Sequence, residues 1–373
     1  MAKFLRRLAK WLRGSPDKGT RKKARAKIKT GSVEGLLEAA AEAEQSGDPR
    51  VMYEVSYKLI RQELYERAWQ LRKTVAELAQ PAPIPFWDGG DLAGKSILIR
   101  PFLPKDRVGE ELRLSRFIAP VAKKAGRCIV LTEPRLIPLF QRSFGVEARR
   151  RGIDDAAAMA DADMVTSYEA IAVHCARDAE EMRRAFVALR PDPALIDTIR
   201  QKYRRAASGP LVGISWWSSN EKKELPAMDE WAPLLGWEKA AFVSLQYGDI
   251  SRDRPTLDRL APGRMIYDTE IDQIVDMDGF AAQIAALDAV VSISNTTIDT
   301  AGMLAVPTIH IRPDKASAIW PSSGPSPWYP GMTFLYRQGR PWAHVFAEAR
   351  EHLARMLPTP EAASSGAATS STA

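Results

Sequence analysis

Short apolar runs alternate with helical patterns over most of this chain, and residues 287–302 show the alternation most clearly. Residues 289–293 are apolar and rich in β-branched side chains, and the Ser-Asn-Thr-Thr segment at 294–297 consists of residue types that begin helices. Apolar residues at helical spacing follow, up to Pro307. The pattern predicts a strand that runs into a helix, with free backbone N–H groups at a sheet edge where phosphates can bind. The alternative is an ordinary connection in which the polar residues only cap the helix.

The same alternation predicts two regions of parallel sheet. In the first region, the predicted elements are strands at 96–103, 127–131 and 164–168 and a helix at 110–124. The alternation restarts at Pro210, and the strand-like runs there are 211–217, 241–248, 264–268, 289–294, 307–312 and 332–337. Strands that alternate with helices form mostly parallel sheets with helices on both faces. The predicted fold class is therefore α/β, with two Rossmann-like domains.

The stretch before these domains, residues 32–79, has a helical pattern that is interrupted at Gly47-Asp48-Pro49. It resembles a tetratricopeptide-type helical hairpin with one extra helix. Only about one repeat is present where stable arrays need ~3, so we expect the segment to dock onto the next domain. Exposed helix faces of this kind can also hold peptides, but the structural interpretation is preferred.

These patterns divide the chain into successive regions. They are a basic tail and linker (1–31), a tetratricopeptide-like helical segment (32–80), an N-terminal Rossmann-like domain (86–207), a C-terminal Rossmann-like domain (208–357) and a disordered tail (358–373). The helical stretch at 170–207 is expected to connect the two Rossmann-like domains.

The positive charge of the chain is concentrated at its start. Of the 53 basic and 46 acidic residues, 12 basic and one acidic lie in residues 1–29, so the remainder carries 41 basic and 45 acidic residues. A mildly acidic body argues against a nucleic-acid partner. The basic start is amphipathic, and it either contacts an anionic membrane surface or is a solvated tail. No apolar run reaches the ~20 residues that span a bilayer. Because the two Cys residues cannot form a disulfide framework, a cytoplasmic protein is expected, with peripheral membrane contact as the alternative.

Cysteine and histidine usage excludes several kinds of site. The two Cys residues, Cys128 and Cys175, cannot form a disulfide framework, and the four His residues show no zinc-ligand spacing. No metal and no cofactor is expected. A candidate base lies in the loop at 104–111, where Glu110 or Glu111 follows the first predicted strand; alternatively, these acids only complement the helix dipole.

Four ordered motifs then carry a family resemblance. They are GISWWSSNEKKELP (213–226), FVSLQYGD (242–249), FAAQIAALDAVVSISNTTIDTAG (280–302) and SPWYP (326–330). Together they resemble the C-terminal domain of bacterial tetratricopeptide-associated glycosyltransferases related to the ADP-heptose:lipopolysaccharide heptosyltransferases (glycosyltransferase family 9), some of which resemble flagellin-modifying enzymes. The resemblance is strong over 210–345 and weaker over 86–200.

The resemblance implies a GT-B architecture, in which two Rossmann-like domains face each other across a cleft. It implies a nucleotide-diphosphate-sugar donor on the C-terminal domain, an acceptor on the N-terminal domain and no required metal. The acceptor would be a protein, such as flagellin, or a glycolipid of the cell envelope. Preorganised cations and N–H donors would stabilise the departing diphosphate in place of a metal.

Transferred to matching positions, the resemblance implies a role for each motif residue. The residues expected at the phosphates are Ser215, Ser218, Asn220 and Lys223, the last as the cation on the diphosphate. The residues expected at the nucleotide base are Gln246, Tyr247 and Gly248. The residues expected to offer hydroxyl and backbone donors to ribose or phosphate are Asn295, Thr296 and Thr297.

Two departures from the family pattern bear on activity. Relatives usually have His where this chain has Asp299, whose charge would repel a pyrophosphate unless the side chain turns away or binds a ribose hydroxyl. Many relatives carry a glycine-rich loop with an Asp as candidate base, where this chain has Arg107 and Glu110. The leading hypothesis is an inverting, metal-independent glycosyltransferase with Glu110 as base and Lys223 on the diphosphate. The alternative is a catalytically degenerate nucleotide-sugar-binding or scaffolding protein.

Overall fold

The computed structural model describes most of the chain. The described residues are Lys27, 32–102, 108–220, 223–314, 319–320 and 325–357. The predictions for Arg107, for the tail at 358–373 and, apart from Lys27, for the basic segment at 1–29 lie outside the described residues. None of the helices in the described residues is both long enough and apolar enough to cross a lipid bilayer.

The chain forms two compact units. The first consists of Met1–Val187 and Ala316–Trp328, and the second consists of Ala188–Lys315 and Tyr329–Ala373. The chain therefore leaves the first unit, returns to it for a short segment and leaves it again.

The first unit begins with a helical segment made of α1 (Val33–Ser46), α2 (Pro49–Arg61) and α3 (Tyr65–Ala79). The break between α1 and α2 has a local cause, because Gly47 is left-handed at φ 62° and Asp48 caps α2 by accepting from the Arg50 N–H. The segment docks within its unit as expected, since the Trp69 indole donates to the Ala176 carbonyl at 2.9 Å. Its kinship to tetratricopeptide repeats remains a prediction.

The sheet of the first unit has four parallel strands in the order β3-β2-β1-β4. The strands are β1 (Ser96–Ile99), β2 (Arg127–Thr132), β3 (Glu147–Arg150) and β4 (Met164–Thr166). The helices around them are α4 (Val108–Leu114), α5 (Ile118–Ala122), α6 (Ile137–Phe144), α7 (Asp155–Ala160), α8 (Tyr168–Cys175) and α9 (Ala179–Arg184). Strand β3, with the sequence EARR, was absent from the sequence prediction because an edge strand this polar has no apolar run.

The sheet of the second unit has six parallel strands in the order β10-β9-β8-β5-β6-β7. The strands are β5 (Leu211–Ser215), β6 (Ala241–Ser244), β7 (Met265–Ile266), β8 (Ala289–Ile293), β9 (Thr308–Arg312) and β10 (Met332–Tyr336). The helices are α10 (Pro193–Ala206), α11 (Ala232–Leu235), α12 (Arg254–Leu260), α13 (Met277–Ala285), α14 (Thr296–Met303) and α15 (Trp342–Met356). The six strand-like runs are confirmed, and the order is that of a doubly wound sheet.

Helix α10 belongs to the second unit, and the two units divide after Val187. The boundary predicted from the sequence is at residue 207. The reason lies in long-range contacts that periodicity does not reveal. Arg200 donates to the Ala286 carbonyl at 2.9 Å, and the Tyr203 hydroxyl donates to Asp268 at 2.9 Å.

Close packing fixes the centre of the second sheet. Gly213 lies in the middle of β5, and a Cβ at this position would come within 2.5 Å of the Leu245 side chain and 2.6 Å of the Leu287 side chain. A larger residue would therefore displace these two leucine side chains. The pairing of β5 with β8 places Ser215 opposite Ser292 at the carboxyl ends of the strands.

Candidate functional site

The carboxyl ends of β5 and β8 meet at the topological switch point of the second sheet. To one side the strand order continues through β6 and β7, and to the other side through β9 and β10. Helix connections on opposite sides leave a crevice at such a point, where open α/β sheets bind their ligands. Around it lies a set of polar residues that we call the switch-point cluster: Ser215, Ser218, Lys223, Gln246, Asn295 and Arg312.

Asn295 ties the start of α14 to the loop after β5. Its side-chain oxygen accepts from the Thr297 N–H at 3.1 Å, which makes it the N-cap of α14. Its amide nitrogen donates to the Ser215 hydroxyl at 2.7 Å and to the Trp217 carbonyl at 3.2 Å. One side chain thus fixes both walls of the crevice.

Gln246, at the end of β6, shapes the same loop from the other side. Its side-chain oxygen accepts from the N–H groups of Trp216 and Trp217 at 2.9 and 2.8 Å, and from the Ser215 hydroxyl at 3.1 Å. The side chain is buried. Its amide therefore holds the loop in place, and a direct contact with a nucleotide base stays a prediction.

Tyr247 and Trp217 form an aromatic surface beside the cluster. Their ring centroids lie 5.5 Å apart, and the Tyr247 hydroxyl accepts from the Ser219 N–H at 2.9 Å. Trp217 is 46% exposed, which is unusual for so large an apolar side chain. The next residue, Gly248, has a φ of 82°, a left-handed conformation that favours glycine. The chain turns away from the aromatic surface at this residue.

Lys223 brings a positive charge to the crevice. Its ammonium donates to the Ser218 hydroxyl at 2.9 Å and to the Ser294 carbonyl. Burial lowers the pKa of Lys223; the charge of Asp299 opposes the shift and that of Arg312 adds to it. Asn220 supports the loop, since its carbonyl accepts from the Lys223 N–H at 3.0 Å. The predicted Lys223, Ser218 and Asn295 are thus brought together around the start of α14.

Arg312 supplies a second cation that the sequence analysis missed. Its guanidinium donates to the Ser294 hydroxyl at 3.3 Å, and that hydroxyl lies 2.7 Å from the Nε2 atom of His310. Burial lowers the pKa of Arg312. The signal was the two-residue spacing of His310 and Arg312, which places both side chains on one face of β9.

Asp299 lies in the first turn of α14 and is buried. One oxygen of its carboxylate accepts from the Tyr329 hydroxyl at 2.7 Å. The Tyr329 ring packs so closely over α14 that a Cβ at Gly302 would come within 2.5 Å of it. Tyr329, which comes from the SPWYP motif, therefore braces the helix that carries Thr296 and Thr297 and that Asn295 caps.

A cavity of about 400 Å³ lies at the carboxyl ends of β6 and β7. It is lined by Gln246 and Gly248 and also by Tyr267, Asp268 and Asp272, among others. Its size falls in the range of small-molecule sites, ~300–1,000 Å³. It adjoins the switch-point cluster through Gln246, which belongs to both.

The remaining predicted site residue, Glu110, lies in the first unit. It is 8% exposed, and its carboxylate accepts from the Tyr57 hydroxyl at 2.9 Å. The neighbouring Glu111 is fully buried, accepts from the Thr132 hydroxyl at 2.6 Å and lies 3.0 Å from the guanidinium of Arg151. Burial raises the pKa of Glu111, although Arg151 and the Thr132 hydroxyl act to lower it. Among the described residues, no group of three or more His, Cys, Asp or Glu side chains could hold a metal ion.

No protein-family model matches the chain. It is 28% identical over 281 residues to Protein FlbA of Caulobacter vibrioides, an alignment that covers 69% of this chain and 46% of that protein. This chain therefore spans about half the length of that relative.

Two solved structures resemble the chain in three dimensions. The glycosyl transferase family 9 structure from Veillonella parvula aligns over 71% of this chain and 98% of its own, with a TM-score of 0.51 and 10% identity. The ADP-heptose lps heptosyltransferase II of E. coli aligns over 70% of this chain and 99% of its own, with a TM-score of 0.49 and 12% identity. The predicted α/β fold is confirmed, and this chain has the fold of the family 9 glycosyl transferase from Veillonella parvula.

Proposed function

We propose that this protein is a glycosyltransferase that moves a sugar from a nucleotide-diphosphate-sugar donor to a hydroxyl acceptor on a protein or a cell-envelope glycan, with inversion and without a metal. The observation that carries the proposal is the junction of Lys223, Arg312 and the start of α14 at the switch point of the second sheet. The fold shared with a family 9 glycosyl transferase is consistent with it.

This junction suits a diphosphate for electrostatic reasons. The partners of the Lys223 ammonium, the Ser218 hydroxyl and the Ser294 carbonyl, are neutral, and Lys223 forms no ion pair with a described carboxylate. Two partly desolvated cations and a helix N-terminus prefer an anion to water. When the bond between the sugar and the diphosphate breaks, charge accumulates on the leaving oxygen, and donors already in place stabilise it.

The cavity beside Gln246 suits the nucleoside of such a donor. It offers the Tyr267 side chain as an apolar wall and the Asp272 carboxylate as an acceptor for a ribose hydroxyl or a base amino group, whereas Asp268 is engaged by Tyr203 and Lys202. Trp217 and Tyr247 add an exposed aromatic surface close by.

On the acceptor side we assign the base to Glu110. The acceptor hydroxyl would transfer its proton to the Glu110 carboxylate while its oxygen forms a bond to the anomeric carbon. The bond from that carbon to the diphosphate breaks, and the electron pair leaves with the diphosphate. The sugar inverts its configuration because there is a single displacement.

The second candidate is a nucleotide-sugar-binding or scaffolding protein without turnover. The observation that favours it is the near-complete burial of Glu110, whose carboxylate is already hydrogen-bonded to Tyr57. A base must reach its acceptor, whereas a binding protein has no such need.

Thermal-shift screening of the full chain against a panel of nucleotide-diphosphate sugars tests donor binding, which both candidate functions require. A donor at 100 times its dissociation constant stabilises a protein by about 2.7 kcal/mol. We expect a stabilising donor, and transfer of its sugar to a fraction of host lysate would select the enzyme. Stabilisation without transfer to any fraction would select the binding protein, and no stabilisation by any nucleotide would refute both.

A further inference from the structure

The loop that carries Lys223 is anchored to the second unit by the two residues that follow it. Glu224 forms an ion pair with Arg337, which directly follows β10. Leu225 packs against the hydrophobic core of the unit. The ammonium of Lys223 instead lies in the crevice, where it donates to the carbonyl that follows β8. Neighbouring residues thus anchor the loop, and Lys223 is left for the crevice.

Arg337 also contacts the second cation of the switch-point cluster, through the backbone. Its N–H donates to the Arg312 carbonyl at 2.8 Å, which continues the pairing of β10 with β9. Its side chain donates through Nε to the Arg340 carbonyl at 2.8 Å, and its Cζ atom lies 5.2 Å from the centre of the Trp342 ring. These contacts fix the guanidinium in the position where it binds Glu224.

The two cations share one partner, Ser294, which directly follows β8. The Lys223 ammonium donates to its carbonyl, and the Arg312 guanidinium donates to its hydroxyl at 3.3 Å. The contacts therefore close into a ring, because Lys223 is joined to Glu224 by the chain. We call this set the cation ring: Lys223, Glu224, Arg337, Arg312 and Ser294.

The ion pair in the cation ring is partly exposed, with 29% of the Arg337 side chain and 55% of the Glu224 side chain open to solvent. A pair this exposed adds little to stability, but it can still set the position of a loop. Groups that bind a ligand have to be held to within about 0.5 Å by supporting contacts. We propose that Glu224 and Arg337 are positioning residues of the diphosphate site, whose ion pair keeps the Lys223 ammonium on Ser294. The inference rests on the proposed function, which assigns the diphosphate to this site.

The sign of one substitution separates positioning from simple electrostatics. Glu224→Gln removes a negative charge close to the proposed anion site, so charge alone predicts tighter binding of a nucleoside diphosphate. Loss of the positioning contact predicts the opposite. In calorimetric titrations of the full chain with ADP, GDP, UDP and dTDP, we expect the dissociation constant of the bound diphosphate to rise about 3- to 5-fold, the range that an exposed ion pair can supply.

The matched control is Asp229→Asn. It removes the same charge from another exposed ion pair of the second unit, that of Asp229 with Arg259, and should bind like the wild type. Unchanged or tighter binding by Glu224→Gln overturns the positioning role.

A combination with Lys223→Ala tests whether the effect of Glu224 passes through Lys223. Glu224→Gln should cost nothing further in that background, because no ammonium is left to position, so the double variant should bind within about 2-fold of Lys223→Ala. A repeat of the full loss in the Lys223→Ala background overturns the inference, since Glu224 would then act by another route.

Arg337→Gln breaks the same ion pair from the other side. It should weaken binding at least as much as Glu224→Gln, and the combination of the two should bind no more weakly than Arg337→Gln alone. A combined loss equal to the product of the two single losses overturns the pair. If the wild type binds a diphosphate and neither variant differs from it, the positioning role fails and the diphosphate site stands. If the wild type binds none of the four, the proposed function fails and the inference fails with it.

Discussion

The carboxyl edges of the two sheets have related strand orders and opposite chemistry. In the second unit, the switch point carries hydroxyls, amides, Lys223 and Arg312, and the nearby carboxylate of Asp299 is engaged by Tyr329. In the first unit, Glu110 and Glu169 lie in the first turns of the helices that follow β1 and β4, and Arg72 interacts electrostatically with both. The arrangement in the second unit suits an anion, and we propose that the arrangement in the first unit accepts a proton. Strand order therefore sets where a site lies, and the residues in the first turns of the flanking helices set what it does.

The difference begins with the residues that follow each strand. After β5 and β8, the short side chains of Ser215 and Asn295 use their polar atoms to hold the loop after β5 and to cap α14. The longer side chain of Glu110, in the helix after β1, instead accepts a hydrogen bond from Tyr57 of the helical segment. A substitution at the carboxyl edge of one sheet should therefore leave the carboxyl edge of the other sheet intact.

The largest effect is expected from Glu110→Gln, which removes the proposed base from the first edge. Turnover should fall ~10²-fold or more, because proton transfer in the transition state is lost. Donor affinity, measured by calorimetry, should be unchanged, since the second edge is untouched. Glu66→Gln, on the exposed side of α3, serves as the control. A parallel loss of donor affinity in Glu110→Gln would contradict the separation of the two edges.

The next effect concerns stability and pH. Glu169 has a pKa of about 7 in the folded protein and an ordinary value of 4.5. As the pH rises between these values, the unfolded chain releases the proton that the folded chain retains, so the free energy of unfolding falls, and above 7 it levels off.

Glu169→Gln should remove this fall, which amounts to ~2–3 kcal/mol between about pH 5 and pH 8. Urea unfolding of the variant and the wild type at both pH values measures it. The same pH dependence in both proteins would show that Glu169 is ionised in the folded state.

A smaller effect is expected at the second edge from Asn295→Ala. Loss of the helix cap should lower the free energy of unfolding by ~1–2 kcal/mol. The loop after β5 also loses the hydrogen bonds that Asn295 donates to Ser215 and Trp217. Asn295→Asp keeps the cap and removes the donors to Ser215 and Trp217, so it should recover most of the stability but not the donor affinity. A cost below ~0.5 kcal/mol for Asn295→Ala would mean that the loop is held mainly by Gln246.

Much of this edge could be predicted from the sequence because it depends on local patterns. The apolar runs of β5 and β8 and the Asn295 cap follow from neighbouring residues. Arg312 and His310 were missed because TIHIR also fits an ordinary buried strand. The engagement of Asp299 by Tyr329 joins residues 30 positions apart, which no local pattern reveals.

The carboxyl edge of the first sheet was harder to predict, because its contacts also join residues that are far apart in the sequence. Glu110 was found by its position after a strand, but its partners Tyr57 and Arg72 come from a helical segment far upstream. Glu169 lies in a short helix whose pattern gives no sign that its carboxyl is buried. The chemistry of this edge depends on which remote helix packs against it.

The smallest effect is expected from Asp299→Asn. The asparagine keeps an oxygen for the Tyr329 hydroxyl and removes a negative charge near the phosphates, so affinity for a nucleoside diphosphate should rise by less than ~1 kcal/mol. Tyr329→Phe, which frees the carboxylate, should weaken binding instead. Weaker binding in Asp299→Asn would indicate that the carboxylate holds a ribose hydroxyl directly.

We propose above that the carboxyl edge of the second sheet binds a diphosphate through Lys223, and a calorimetric titration with nucleoside diphosphates tests this proposal. The wild type should bind at least one of them. Lys223→Ala should bind it at least ~10-fold more weakly, as expected for the loss of a charge-assisted contact. The control Lys239→Ala, an exposed lysine of the same unit, should bind like the wild type. Equal affinity in Lys223→Ala and the wild type, or no binding by the wild type, would contradict the account.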